Sequence, residues 1–332
     1  MLVLTTAKSQ ESCGTIASMH LDYQHSKASK RQSPVPIIMV CSFFLIGAGA
    51  YVMAQTTTPK IISPLPTGFT PKPQPFIQFF APKKDPEELK QRIKQTVGDT
   101  WSNYSVFVKD YTSDFVMDVN GTIIYTAASI NKIPILAVVY YLAQKGEVDL
   151  DQIITLQQQD IQDYGTGSIR YDPPGSTYSV KTLAQLMMQK SDNTAAYLLA
   201  NYIVTMDKIQ ELITSWGLTQ TDMVNNKTSN ADIAILMEKM YKEKIANHAL
   251  TQEMLAYFKD GDFEDRIPAL LPDRATTYHK IGNAIGSIHD VGIVTQDKMK
   301  YYVGILTADI SDEEEATHTA ALISKTVYDF MQ

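Results

Sequence analysis

The chain has 332 residues, 44% of them apolar and 20% charged, and a formal net charge of −7 at pH 7. That length carries a sizeable core, and an acidic balance with no basic, aromatic-studded stripe argues against a nucleic-acid partner. The two cysteines, Cys13 and Cys41, both lie near the N-terminus, so the rest of the chain has neither an internal disulfide nor thiol chemistry.

Residues 1–34 form a polar leader that ends in a basic cluster, Lys27, Lys30 and Arg31. Residues 35–54, VPIIMVCSFFLIGAGAYVMA, then run without a charge, and the next one is Lys60. Twenty such residues span a bilayer as a helix. The positive charge ahead of them predicts a cytoplasmic leader, a single pass, and everything that follows outside the cytoplasm. The alternative is a removable signal with Val52-Met53-Ala54 at its cleavage site and a secreted product; the long leader favours the anchor. Residues 55–84 follow as a linker, with prolines at 59, 64, 66, 71, 73, 75 and 82. They predict an extended tether reaching on the order of 90 Å.

A folded domain is expected over 85–332. Asp85, Pro86 and Glu88 have the spacing of a capped helix start with a capping box. Strands are predicted near 104–110 and 115–119, helices from 131 to about 259, and strands again near 278–281, 288–295 and 301–307. A last helix is expected to be capped by Ser311 and Glu314. Strands at both ends and helices between them give an α+β class. Its architecture is an antiparallel sheet flanked by N- and C-terminal helices, with an inserted all-helical domain and a cleft between the two parts.

Three short strings carry chemistry: Ser129-Ile130-Asn131-Lys132, Ser191-Asp192-Asn193 and Lys280-Ile281-Gly282. Each alone is commonplace: a surface pair, a turn and a strand end. Their order and context say more. Ser129 sits where a strand-like segment gives way to the apolar run NKIPILAVVYYLAQ, so Ser129 and Lys132 share a helix face. An amine beside a hydroxyl is what activates a serine nucleophile. Lys280 opens HKIGNAIGSIHDVGIVT, which reads as two strands and a turn, and Gly282 would let a ligand come close to the backbone.

The order S-x-x-K, S-D-N, K-x-G resembles that of the class A β-lactamase-like serine hydrolases, the penicillin-recognising acyl-serine enzymes. The likeness covers roughly residues 85–332. It takes in GSTYSVKTLAQLMMQKSDNTAAYLLANYI around the second string, TSNADIAILMEKMY after the omega loop, and FEDRIPALLP before the third string. The resemblance implies that Ser129 is the nucleophile, Lys132 its base and Ser191 a proton relay that bridges towards Lys280. It implies that Asn193 binds the substrate amide, that Lys280 attracts the substrate carboxylate and depresses Lys132, and that Gly282 permits close approach. The backbone N–H groups of Ser129 and Asn283 would form the oxyanion hole.

Two departures from the family pattern stand out. The segment GLTQTDMVNNKTS, where the family keeps the glutamate that activates the deacylating water, has no glutamate and a single acid, Asp222. Ile281 stands where the family normally has a hydroxyl residue, and it cannot donate a hydrogen bond. His289-Asp290 looks like half of a triad but reads better as strand packing, because Lys132 already supplies a base. Residues 164–167 are either a cleft cover or a plain connecting turn. The six histidines show no metal-binding spacing, so neither a metal nor any other cofactor is implied.

The expected function is that of a membrane-anchored acyl-serine hydrolase acting on peptidoglycan peptides or β-lactams, with its membrane contact through 35–54. Lack of the glutamate argues against efficient β-lactam turnover. The alternatives are a true β-lactamase using another base, and a non-enzymatic module that binds muropeptides or β-lactams.

Overall fold

The computed structural model describes residues 84–332. The leader, the apolar run at 35–54, nearly all of the linker, Cys13 and Cys41 lie outside the described residues. Among the described residues no helix is long and apolar enough to cross a membrane.

Helix α1, Pro86–Val97, opens on Asp85, whose carboxylate accepts the Glu87 N–H at 3.0 Å, and buries Leu89, Ile93 and Val97 at four-residue spacing. The capping box does not form. Glu88 pairs instead with Arg92 one turn on, a charge-assisted bond along the exposed face. Strands β1 (Asn103–Asp110) and β2 (Val116–Val119) then pair as a hairpin. The chain returns to this sheet much later with β7 (Thr276–Ala284), β8 (Ser287–Gln296) and β9 (Met299–Ala308). All neighbours are antiparallel, in the order β2-β1-β9-β8-β7. Strand β8 is buried along nearly its whole length, because both faces of the sheet are covered.

One face carries α1 and the last helix, α8 (Glu313–Met331), around a core that includes Leu89, Ile93, Val303, Ile305, Ile323 and Val327. Asp312, not Ser311, caps α8, its carboxylate accepting the Glu315 N–H at 3.0 Å. A carboxylate at that end also meets the positive pole of the helix.

The other face carries the inserted helices: α2 (Lys132–Gln144), α3 (Val180–Gln189), α4 (Asn193–Leu198), α5 (Met206–Ser215), α6 (Asn230–Tyr241) and α7 (His248–Ala256). Helix α2 is apolar all round and buried from Lys132 to Tyr140, so it forms the axis of this part. Three-residue strands interrupt the helical stretch: β3 (Ile124–Thr126) pairs with β6 (Lys227–Ser229), and β4 (Ile153–Thr155) with β5 (Thr177–Ser179). The sequence reading placed the last three inside helical territory. Strands this short have no periodicity to read, only β-branched and hydroxyl residues such as Ile153-Ile154-Thr155.

Candidate active site

Strand β3 delivers the chain into a tight helical turn, Ala128–Asn131, that holds Ser129 and runs straight into α2. Ala128 has φ +49°, a left-handed conformation that costs a residue with a Cβ of order 1 kcal/mol or more. Neighbours hold the turn in place. Ala127 N–H donates to Asn226 O at 2.8 Å, and the His289 ring bonds Thr126 O at 2.8 Å. The other His289 nitrogen accepts Thr307 N–H at 3.1 Å, which fixes its tautomer and bridges β9 to the turn. Burial first of all depresses this imidazole, to about 4. Gly282 lies under the same turn: a Cβ there would meet Ile130 at 3.0 Å and Ala127 O at 3.1 Å. What approaches Gly282 is therefore the turn that carries Ser129, rather than a ligand.

The Lys132 amine lies 3.2 Å from Ser129 Oγ, 3.1 Å from Ser191 Oγ and 2.8 Å from Asn193 Oδ1, and also meets Ser191 O. An ammonium has only three protons to share among four acceptors, whereas a neutral amine can accept one hydroxyl proton. Burial, and then the nearby Lys280 cation, hold Lys132 well below the ordinary lysine range, against an opposing pull from Asp192. Ser129 of the first string and the first and third residues of the second are thus brought together around the Lys132 nitrogen.

The second string is shaped by Asp192. Its carboxylate caps α4 through Ala195 N–H at 2.9 Å and accepts Ser168 N–H at 2.7 Å and Ile169 N–H at 2.9 Å. Ser191 is left at φ +50°. The 164–167 segment packs on the string: Thr166 Oγ1 donates to Ser191 O at 2.9 Å and Asn193 Nδ2 to Tyr164 O at 3.0 Å. It forms a wall of the cleft, with Tyr164 64% exposed at its edge.

The cleft encloses about 430 Å³ and is lined by Ser129, Lys132, Ser191, Asn193 and Asn283 together with the 164–166 wall, Asn226, Phe263, Ile281 and Ala284. Lys280 does not line it. Its side chain is 3% exposed, lines a small crevice with Met188, Tyr257 and Phe263, and lies on the sheet face that Gly282 turns towards Ala127 and Ile130. Burial pulls Lys280 down to about 7, Arg266 adds to that, and Asp290 opposes it. Among the described residues no hydrogen bond joins Lys280 to Ser191. The other titratable groups of this region are paired. His279 bonds Asp290 at 2.9 Å and Glu264 at 3.3 Å, and although burial alone would lower it, these two carboxylates hold it up at about 9. Neither histidine has a nitrogen free to act as a base.

Asp222 is turned away from the cleft. Its carboxylate accepts Asn225 N–H at 2.9 Å and the Asn225 amide at 2.8 Å, bonds that hold its pKa down. From this segment it is Asn226 that reaches the cleft, at φ +52°, accepting the Asn131 amide at 2.8 Å. Asn131 Oδ1 is buried without a partner. Sequence reasoning missed Asn226 and Phe263. The one signal for Asn226 was its place in a shortened, glutamate-free omega segment, and nothing local marked Phe263.

A model of the β-lactamase enzyme family matches residues 88–331. The chain is similar to the solved structure of PBP-A at 26% identity, over 73% of this chain and 95% of that one, with a TM-score of 0.68. A point mutant of PBP-A, solved as its acyl-enzyme complex with penicillin G, is 25% identical with a TM-score of 0.67, over 73% of this chain and 96% of that one. A β-lactamase from Sphaerobacter thermophilus DSM 20745 has the same fold at 22% identity, over 74% and 97% of the two chains, with a TM-score of 0.68. No curated protein matches. The family match over most of the length, the antiparallel sheet with its helical insertion and the Ser129–Lys132–Ser191 cluster agree: the chain belongs to the β-lactamase enzyme family and is a serine hydrolase.

Proposed function

We propose that the protein is a membrane-anchored acyl-serine enzyme that takes up the acyl group of cell-wall peptides, or of β-lactams, on Ser129. The observation that carries this is the depressed Lys132 amine within hydrogen-bond reach of both the Ser129 and Ser191 hydroxyls. Ser129 Oγ attacks the carbonyl carbon while its proton passes to neutral Lys132. The resulting oxyanion is met by the backbone N–H groups of Ser129 and Asn283, the first at the positive end of α2. The C–N bond then breaks, and the departing amine takes its proton from Lys132 through Ser191. Asn193 orients the substrate amide. Lys280, on the neighbouring strand β7, helps to keep Lys132 unprotonated.

The second half-reaction is the weak one. Among the described residues that line the cleft with Ser129 none is a carboxylate, and Asp222 is engaged with Asn225. A β-lactam acyl-enzyme keeps its leaving group tethered and needs such a water, whereas a peptide's amine diffuses away. Peptidase or acyl-transfer chemistry on cell-wall peptides is therefore favoured over β-lactam hydrolysis. The uncharged run at 35–54 and its basic flank support an anchor that places the domain outside the cytoplasm.

Full-length protein incubated with a labelled penicillin, followed by intact mass and peptide mapping, tests the reading. One equivalent of adduct on Ser129, absent in Ser129→Ala, is expected. An adduct elsewhere, or none at all, would overturn it.

A further inference from the structure

The cleft wall beside Asn193 carries more exposed aromatic surface than a connecting segment needs. Tyr164, Tyr171 and Tyr202 are 64%, 75% and 54% exposed. Exposed rings scattered singly are ordinary. These three belong to one stitched unit. Tyr202 lies in the π-helical turn Leu199–Ile203, a rare geometry that recurs at functional sites, and its hydroxyl donates to buried Asp160 at 2.7 Å. Its ring meets Tyr197 edge-on, with centres 6.1 Å apart. Tyr171 is braced by Arg170, which donates to the Tyr171 hydroxyl at 2.6 Å and lies 4.8 Å from the ring centre. Arg170 also donates to Gly165 O at 2.8 Å. Asp160 and Gly165, which tether the two outer rings, are five residues apart, so no more than about 18 Å separates them. Between them in the chain comes Tyr164, which lines the cleft and whose carbonyl accepts the Asn193 amide at 3.0 Å. Hydroxyls tethered in this way hold Tyr171 and Tyr202 in place before any ligand arrives, which lowers the cost of binding one.

The surroundings of the rings are polar. Asp163 and Asn201, chain neighbours of Tyr164 and Tyr202, are exposed. A bilayer or an apolar protein face would strip water from the Asp163 carboxylate and return no bond. A sugar answers both parts of this surface. Its C–H face suits the negative face of an aromatic ring, and its hydroxyls can bond the carboxylate and the tyrosine hydroxyls. In the proposed reaction Asn193 holds the amide on the acyl side of the substrate, so the substrate leaves the cleft on that side along this wall. On that side a cell-wall peptide is joined to a chain of amino sugars.

We propose that Tyr164, Tyr171 and Tyr202 form a platform for the glycan part of the substrate, a chain of N-acetylated amino sugars. The choice of ligand rests on the proposed reading of the site as one for cell-wall peptides. The platform binds its ligand without any reaction at Ser129.

The test titrates a peptide-free oligomer of N-acetylglucosamine into the full-length protein in detergent, read by calorimetry. Saturable binding is expected. Tyr171→Ala and Tyr202→Ala are each expected to weaken it by about fivefold, the worth of one aromatic contact. Tyr171→Phe and Tyr202→Phe keep the ring and are expected to keep most of the affinity. Because Tyr171 is 75% exposed, Tyr171→Ala is expected to unfold at the same temperature as the unmodified protein, which separates a lost contact from a lost fold. No saturable binding, or affinities unchanged in both alanine variants, would overturn the platform. The labelled-penicillin adduct on Ser129 is scored separately on the same samples. An adduct without glycan binding would overturn the platform alone, and glycan binding without an adduct would overturn the acyl-serine reading alone.

Discussion

In the proposed reaction Lys132 can act as a base because its surroundings make a charge expensive there. It is 6% exposed, faces another cation, and is surrounded by atoms that can use a lone pair as well as a proton. Lys132→Ala should therefore slow acylation of Ser129 by about 10²–10⁴, the usual span for a lost general base, as followed by stopped mass spectrometry of the adduct. Only the neutral amine accepts the serine proton, so the rate in the unmodified protein should climb as pH rises through the depressed Lys132 pKa. Removing the second cation by Lys280→Met should let that pKa rise and move the climb to higher pH. A profile unmoved by Lys280→Met would show that burial alone sets it. His279 has the opposite logic. Its folded pKa of about 9 lies above its ordinary 6.5, so its stabilising contribution is complete below about 6.5 and is lost as pH rises through about 9. His279→Gln breaks a buried pair and should cost about 3 kcal/mol at pH 6. The deficit should narrow towards pH 10 in urea denaturation, and a pH-independent deficit would deny the charged pair.

At the scale of elements, the link between α5 and β6 would decide the fate of the proposed acyl-enzyme. It leaves room for one cleft-facing side chain, Asn226, and folds Asp222 back on Asn225. A chromogenic cephalosporin should therefore give a burst of about one equivalent and then a slow phase. Asp222→Asn should leave that slow phase unchanged. Steady turnover lost in Asp222→Asn would instead make Asp222 the activator of water. Much at this scale was legible in the sequence. The alternating and apolar runs of β1, β7, β8 and β9 announced the sheet, and the run after Ser129 announced α2. The spacing of Ser129 and Lys132 placed an amine by a hydroxyl. Other features were not legible. The three-residue strands β4, β5 and β6 are set by pairing rather than by pattern. Asn226 and Phe263 arrive from segments about a hundred residues or more beyond Ser129. The roles of Gly282 and His289 in bracing the nucleophile turn exist only once β7 and β8 are folded against it.

For the whole molecule, the sequence indicated an exported domain behind an apolar run and a tether, and this arrangement has its own test. Protease added to intact spheroplasts should digest the domain and spare the leader at residues 1–34, and full protection of the domain would reverse the proposed topology. The described part adds one more consequence. Helix α1 packs on α8 and against β2, with Thr96 and Thr326 3.3 Å apart and Arg92 stacked on Phe330. Strand β2 is one edge of the five-stranded sheet and β7, which flanks the cleft, is the other. Four strand spacings, roughly 19 Å, separate them. Tension transmitted along the N-terminal linker would thus be borne by the α1–α8 pair and the far edge strand. If the proposed anchor holds, the first structure to yield would be α1, peeled from its groove, while the turn that carries Ser129 stayed braced by β7 and β8.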